Sequence, residues 1–537
     1  MPPAPRAAPV QPPHITTTAT AAAAATVTAA ATRRRRFGEH TDGNCVAITV
    51  DGRDTFEQVY YHMLRAEQSI LVANYDLDPH LRFARDYVSP ERRRQHSHPH
   101  HHHHHSITRS PCRRPLARDT ISDESRRYTL QELLVEKARR GVEVKVMVWQ
   151  PRLALRILPG ADERGIDGRA DEVEVINAVA KSLGIQDRLE VRVDSTAPTL
   201  TSAHHEKLIV VDGRVGFCGG LDLSRGKWDV STHDYESPLR DAGAEPWHDV
   251  NAMVRGPVVW DMLLHFRQRW LFAEHRDRRR ARAAAPPPPV QEEPGSVPAV
   301  ALRTWKEMDR SGGIRAWYAE MFRRAERGIY IENQFPFQSK TMTDLLVRRL
   351  KEKPELRVVI VGPMEPNLPG FVGSMIAKMS VNDVNRNLAR LRKAGGPGRV
   401  GTYALVSQHK TVPTMRRQIY VHSKVMIVDD SLLTVGSANL DKNGLRDSSE
   451  FNLGMTSEQL ALDLRVRLWH EHTGIPKSRL LDFAEGFEGW ARLARANGAR
   501  VARNRPLVGS VYLYDFEEEG LPAPYDGAPG GSKFAFL

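Results

Sequence analysis

The chain has 537 residues, 41% hydrophobic and 26% charged, with a formal net charge of +12 at pH 7. That length holds two domain-sized units and ample apolar core. Its three cysteines are too few for a disulfide framework, and no stretch reaches the roughly 18 apolar residues a membrane span needs.

The positive surplus invites a nucleic-acid reading, but its location argues against one. Residues 1–38 form an Ala/Thr/Pro tract with Arg6 and Arg33 to Arg36 and no acid. This composition predicts a disordered tail. The RRRRF run is similar to the start of a twin-arginine signal, yet polar GEHTDGN follows in place of an apolar segment. A basic tail of this kind suits contact with anionic lipid. Residues 89–126 read as an inserted loop with His96, His98, the run His100 to His105 and seven acid-free arginines between 92 and 118. Tail and insertion carry the whole surplus, so the body between them is balanced. Such a histidine run binds Ni or Zn adventitiously and implies no functional metal site.

A first half is expected over 39–272. There SILVANYDL (69–77) and GVEVKVMVW (141–149) read as strands around a helix at 131–140. It holds HEKLIVVDGRVGFCGG, beginning at His205. A Pro/Arg-rich linker follows at 273–298. The second half, 299–500, repeats the theme with a helix near 313–327, a strand at GIYIENQF, a helix at 343–353 and a strand at LRVVIVGP. It holds HSKVMIVDDSLLTVGS, beginning at His422. Residues 501–537 read as an irregular tail. The alternation predicts an α/β fold of two similar halves, each a mixed β-sheet flanked by helices.

In both motifs His is followed by Lys at +2, Asp at +7 and a small pair at +14 and +15, Gly219-Gly220 or Gly436-Ser437. Side chains two apart on a strand share a face about 7 Å apart, so His205 with Lys207, and His422 with Lys424, converge on one small anion. A turn at Asp212 or Asp429 returns the small pair beside the histidine, where Gly220 leaves room for a ligand. A histidine near its ordinary pKa serves as nucleophile or acid. Lysine neutralises a phosphoryl group, and Ser437 and Asn439 suit its oxygens. Two histidines across one phosphate split a hard displacement through a phosphohistidine, and neither half is sufficient alone. A lone histidine on an apolar strand is ordinarily a packed or surface residue; recurrence in order removes that reading.

The duplicated HxKxxxxD with its following GG or GS resembles the phospholipase D superfamily. GGLDLSRGKWD (219–229), PWHDVNAMVRGP (246–257), YIENQF (330–335), IYVHSKVMIVDD (419–430), GSANL (436–440) and RVRLWHEHTG (465–474) bring the resemblance closest to the eukaryotic-type enzymes. It implies an active site at a pseudo-twofold interface, with one motif histidine as nucleophile and the other as acid then base, and Lys207, Lys424 and Asn439 holding phosphate. We assign His205 as nucleophile and His422 as acid and base, the reverse being the alternative. Asp222 stands where the second copy has Asn439, so the halves are not equivalent. Asp212 and Asp429 complete the motif and suit bracing of the turn. Asp249 and Glu450 are the expected carboxylates behind the histidines. No metal or other cofactor is implied.

The expected activity is phosphodiester hydrolysis of glycerophospholipids such as phosphatidylcholine, giving phosphatidate and a head-group alcohol. Water or another alcohol is the acceptor, the latter giving transphosphatidylation. The expected partner is a membrane surface met peripherally, or from the cytoplasm, and no nucleic acid. Alternatives are a cardiolipin-synthase-type phosphatidyltransferase, a superfamily nuclease, and a non-catalytic polyanion-binding module.

Overall fold

A computed structural model describes residues 37–85, 128–150, 168–197, 199, 202–284, 295–308, 313–364 and 371–514. Residues 1–36 of the basic tail and the His/Arg-rich insertion at 89–126 lie outside the described residues.

The first half runs β1 (Thr41–Val50), α1 (Asp51–Leu64), β2 (Ser69–Asn74), α2 (Leu130–Arg139), β3 (Glu143–Trp149), α3 (Gly168–Ser182), β4 (Leu189–Asp194), β5 (Leu208–Val211), β6 (Val215–Gly219), β7 (Trp247–His248), β8 (Val250–Arg255) and α4 (Val259–His275). The second runs α5 (Arg278–Arg282), β9 (Val297–Thr304), α6 (Gly313–Arg324), β10 (Gly328–Asn333), α7 (Lys340–Glu352), β11 (Arg357–Val361), α8 (Phe371–Gly395), β12 (Val400–Gln408), β13 (Arg416–Val421), β14 (Lys424–Val428), β15 (Leu432–Gly436) and β16 (Glu450–Thr456). It closes with α9 (Glu458–Thr473), α10 (Phe483–Val501) and β17 (Val511–Leu513).

Strand pairing exposes the duplication. The first sheet has the order β1-β8-β6-β5-β2-β3-β4, and the second β9-β16-β15-β14-β10-β11-β12. In each, three parallel strands joined through helices meet an antiparallel meander, as the helical crossovers require. The edge strands β1 and β9 also pair with each other.

Alternation along the motif strands explains how the sheets stack. Leu208 and Val210 enter a core that also takes Val425, Ile427 and Val435 from the other half. Ile209 and Val211 face outward, joining Phe56, Val59, Leu133 and Leu134 of α1 and α2. In the second half Met426 and Val428 face Tyr318, Leu346 and Leu388 of α6, α7 and α8. The result is two sheets face to face between helical layers, an arrangement that carries both motif histidines to one interface.

Two expected boundaries shift. The segment read as linker from 273 begins inside α4 and contains α5, whose N-terminus Asp277 caps through Arg279 N and Arg280 N. The tail read as irregular from 501 contributes β17, which pairs with β12 through Tyr403, Ala404 and Leu405. Both departures have one cause: Arg-rich and Gly/Pro-rich local composition is overridden where the chain lies against a partner.

Candidate active site

The motif turns form as the spacing predicts. Asp212 and Asp429 take positive φ of 54° and 51° at the tips of the β5–β6 and β14–β15 hairpins. Their carboxylates point away from the histidines. Asp212 accepts from the backbone N–H of Gln68 and Ser69 at 2.8 Å. Asp429 accepts from Arg327 and Gly328 at 2.8 Å. The motif aspartates thus fix the entry to the neighbouring parallel strand, identically in both halves.

The segments before the two histidines each dock on the other half. His205 N donates to Ser449 O at 2.8 Å, and His422 N donates to His248 O at 2.9 Å. The residue after each of those carbonyls is the carboxylate that orients the ring. His205 Nδ1 lies 3.1 Å from both Glu450 oxygens, and His422 Nδ1 lies 2.8 Å from Asp249 Oδ2. Each histidine is therefore oriented by a carboxylate from the opposite half. With Nδ1 engaged, Nε2 is the nitrogen left on each ring for chemistry. The ring centres are 6.5 Å apart, a spacing that suits one tetrahedral phosphorus between them.

The supports behind the carboxylates differ. Ser437, expected to contact phosphate, is buried and its hydroxyl donates to Glu450 Oε2 at 2.5 Å. It braces the carboxylate that orients His205. Gly220 occupies the equivalent position, and a Cβ there would stand 2.1 Å from Asp249 Oδ1 and 2.9 Å from His422 O. The space at Gly220 is taken by Asp249, which the expectation of an open ligand site did not foresee. We expect Gly220→Ala to displace Asp249 and lower kcat about 10²-fold, with a smaller change in KM; unchanged kcat would refute that role. Gly219 and Gly436 leave equivalent space for Asn251 and Asn452, whose side-chain oxygens accept from Leu221 N and Ala438 N.

Lys207 and Lys424 are both buried, and each ammonium donates to the carbonyl of its motif histidine. Their further partners separate the two half-sites. Lys207 pairs with Asp222 at 3.4 Å and lies 4.8 Å over Tyr75. Lys424 donates to Gln334 Oε1 at 3.1 Å, and Asn439 Nδ2 reaches the same oxygen at 3.3 Å. Tyr75 and Gln334 follow the ends of β2 and β10, at matching places in the two sheets.

Electrostatics set the resting protonation. Burial, reinforced by Lys207 and Lys424, holds both motif histidines well below the usual imidazole pKa, so both rings are neutral near pH 7. Burial pushes Asp249 up to about 6, and Glu450 well above the ordinary carboxyl range. Burial also lowers Lys424 to about 7. Lysines and carboxylates thus share the site, and burial works against the charged forms of both histidines, Asp249, Glu450 and Lys424 alike.

Residue spacing did not single out Lys227, Trp247, Tyr75 or Gln334. Lys227 lies 3.5 Å over Trp247, and the Trp247 ring lies 4.9 Å from that of His422. Both residues fall inside the stretches GKWD and PWHD, but a lysine before Trp-Asp has no motif partner to betray it.

The fold and paired histidines define a duplicated phosphoryl-transfer scaffold. A family profile described as phospholipase D matches residues 115–285, and one described as cardiolipin synthase, phospholipase-D-like domain, matches 318–471. The chain belongs to the phospholipase D superfamily. Phospholipase D alpha 1 of Oryza sativa subsp. japonica is 26% identical over 477 residues, covering 65% of this chain and 58% of that protein. Phospholipase D alpha 4 of Arabidopsis thaliana is 25% identical over 536 residues, covering 80% of this chain and 64% of that protein. The chain thus spans less than two thirds of these relatives. The solved phosphatidylserine synthase of Haemophilus influenzae Rd KW20 shares the fold, with a TM-score of 0.50 and 10% identity over 86% of this chain and 95% of that one. Among the described residues, no helix is long and apolar enough to cross a membrane.

Proposed function

We propose that this protein is a phospholipase D, hydrolysing glycerophospholipids such as phosphatidylcholine to phosphatidate and a head-group alcohol. The crossed carboxylate–histidine pairs carry the reading, because they prepare two imidazoles of opposite origin for one phosphorus. The binding phosphodiester is an anion, so it offsets the lysine repulsion that adds to burial in keeping the rings neutral. Neutral His205 attacks phosphorus through Nε2 while protonated His422 gives its proton to the departing head-group oxygen. A phosphohistidine forms and the P–O bond breaks. His422, now neutral, takes a proton from water or an alcohol, whose oxygen attacks phosphorus and releases His205. Lys207, Lys424 and Asn439 hold the phosphoryl oxygens, while Asp249 and Glu450 fix the tautomers. Gly220 and Ser437 act through those carboxylates. Asp212 and Asp429 act through the hairpins.

The alternative keeps this chemistry and changes the acceptor to phosphatidylglycerol. The profile matched by 318–471 favours it as the second reading. The discriminating experiment incubates the protein with phosphatidylcholine vesicles and ethanol, measuring choline and phosphatidylethanol beside His205→Ala and His422→Ala. Both products, absent in each variant, support the proposal; neither product moves phosphatidylglycerol, then single-stranded DNA, to the front.

A pH profile follows from Lys424. Its ammonium loses its proton near pH 7 in the free enzyme, so kcat/KM should fall as pH rises through about 7. Bound phosphodiester stabilises the ammonium, so the alkaline limb of kcat should lie higher. A kcat/KM that stays flat to pH 9 would contradict this role for Lys424.

A further inference from the structure

Around His248, whose carbonyl accepts from His422 N, lies a second cluster that the phosphoryl chemistry does not use. Asp51, His233 and His248 come from the first half and Glu471 from α9 of the second. Asp51 opens α1 with φ of 65° and His233 has φ of 44°, both in the left-handed region that non-glycine residues avoid. The backbone is thus held off its preferred conformation at two of the four positions.

The spacing of the polar atoms is informative. His233 Nε2 lies 3.5 Å from Asp51 Oδ2 and 3.6 Å from Glu471 Oε1, and His248 Nδ1 lies 3.4 Å from Glu471 Oε1. Good hydrogen bonds between such atoms measure about 2.7–3.2 Å. Ligands about 2.0–2.1 Å from a tetrahedral cation lie about 3.3–3.4 Å from one another. Asp51 Oδ2, His233 Nε2 and Glu471 Oε1 are buried without a hydrogen-bond partner, and all converge on this point.

The other nitrogen of each imidazole is already committed to a carboxylate. His233 Nδ1 lies 3.0 Å from Asp229 Oδ2, and His248 Nε2 lies 3.0 Å from Glu332 Oε2. Those carboxylates are anchored in turn. Asp229 accepts from Arg240 Nη1 at 3.0 Å and Trp247 N at 2.9 Å. Glu332 accepts from Tyr330 at 2.5 Å and Ser423 at 2.6 Å, and its Oε1 lies 2.9 Å from His472 Nε2. A carboxylate on the far nitrogen is the arrangement that orients metal-bound imidazoles.

We propose that Asp51, His233, His248 and Glu471 form a structural site for a zinc-class divalent cation that joins the two halves beside the catalytic interface. Two imidazoles and two carboxylates suit zinc better than calcium or magnesium. His248 Nδ1, which also lies 2.9 Å from Asp51 Oδ1, exchanges that contact for the cation. The competing state is metal-free, with two protons on the imidazoles in place of one dication, at the same total charge. In the bound state the cation immobilises Asp51, whose N–H donates to Asp249 O at 2.7 Å and whose Oδ1 accepts from Asp249 N at 3.3 Å. It therefore steadies the carboxylate that orients His422 without touching substrate.

The test removes the confounding histidine run. Full-length protein carrying serine at His96, His98 and His100 to His105 is purified without a histidine tag. Its zinc content is measured by mass spectrometry before and after chelation, with a zinc titration of Tm and X-ray absorption at the zinc edge. Expected are one tightly held equivalent, a Tm that falls on chelation and recovers with zinc, and an absorption spectrum of four nitrogen or oxygen ligands with the outer-shell scattering of two imidazoles. The isosteric Glu471→Gln should lose the equivalent and the Tm response. Absence of stoichiometric zinc with no Tm response in the parent overturns the proposal, as does full retention in Glu471→Gln. Should that variant not fold, the parent's zinc content and ligand spectrum decide alone. None of these readouts depends on phospholipase activity.

Discussion

Replacing either His205 or His422 with alanine is expected to lower phosphodiester turnover by at least about 10⁴-fold, as for groups that act as one unit, while the fold persists. Persistence follows from the surroundings. Glu450, left behind by His205→Ala, keeps the Ser437 hydroxyl and is readily protonated. Asp249, left by His422→Ala, keeps the N–H of Val250 at 2.9 Å. The two variants should fail differently. A p-nitrophenyl phosphodiester has a leaving group that needs no proton, so His422→Ala should still release one equivalent of nitrophenol and accumulate phosphohistidine. His205→Ala should show no burst and no covalent adduct. A burst confined to His205→Ala would reverse the assignment, and a burst in neither would remove the covalent intermediate.

Asp249→Asn and Glu450→Gln carry the second large effect, about 10²–10⁴-fold in kcat with little change in KM. An amide in place of the carboxylate lets the ring adopt the wrong tautomer, and at Asp249 it also withdraws the charge that stabilises the His422 imidazolium. Because the pairs cross between halves, the couplings cross as well. Asp249→Asn should add almost nothing to His422→Ala, and Glu450→Gln almost nothing to His205→Ala, in double-mutant cycles. Additivity within those pairs, with coupling inside each half, would refute the crossed arrangement.

Much of this was legible in the chain. The motif repeat required two strands, two turns and a histidine and lysine sharing a face, because side-chain alternation is a local property of a strand. The elements read at 69–77, 131–140, 141–149, 328–335, 343–353 and 356–363 all form, with ends moved by a few residues. The helices at Asp51–Leu64 and Phe371–Gly395 were not foreseen. The former starts from a left-handed aspartate without a capping side chain, so no local start signal marks it.

The sequence by itself determined that there are two repeated units, that a histidine and a lysine share a face in each, and that Asp212 and Asp429 belong in turns. Only the tertiary structure decided which carboxylate serves which histidine. Asp249 and Glu450 lie 173 and 245 residues from the rings they orient, and pairing across a sheet-to-sheet interface leaves no periodic trace along a chain. The same holds for Gly220 and Ser437, whose roles are set by the carboxylate opposite each. It holds again for the four-residue cluster around His248, where two strained backbone positions and a helix from the other half meet at a point that no local spacing encodes.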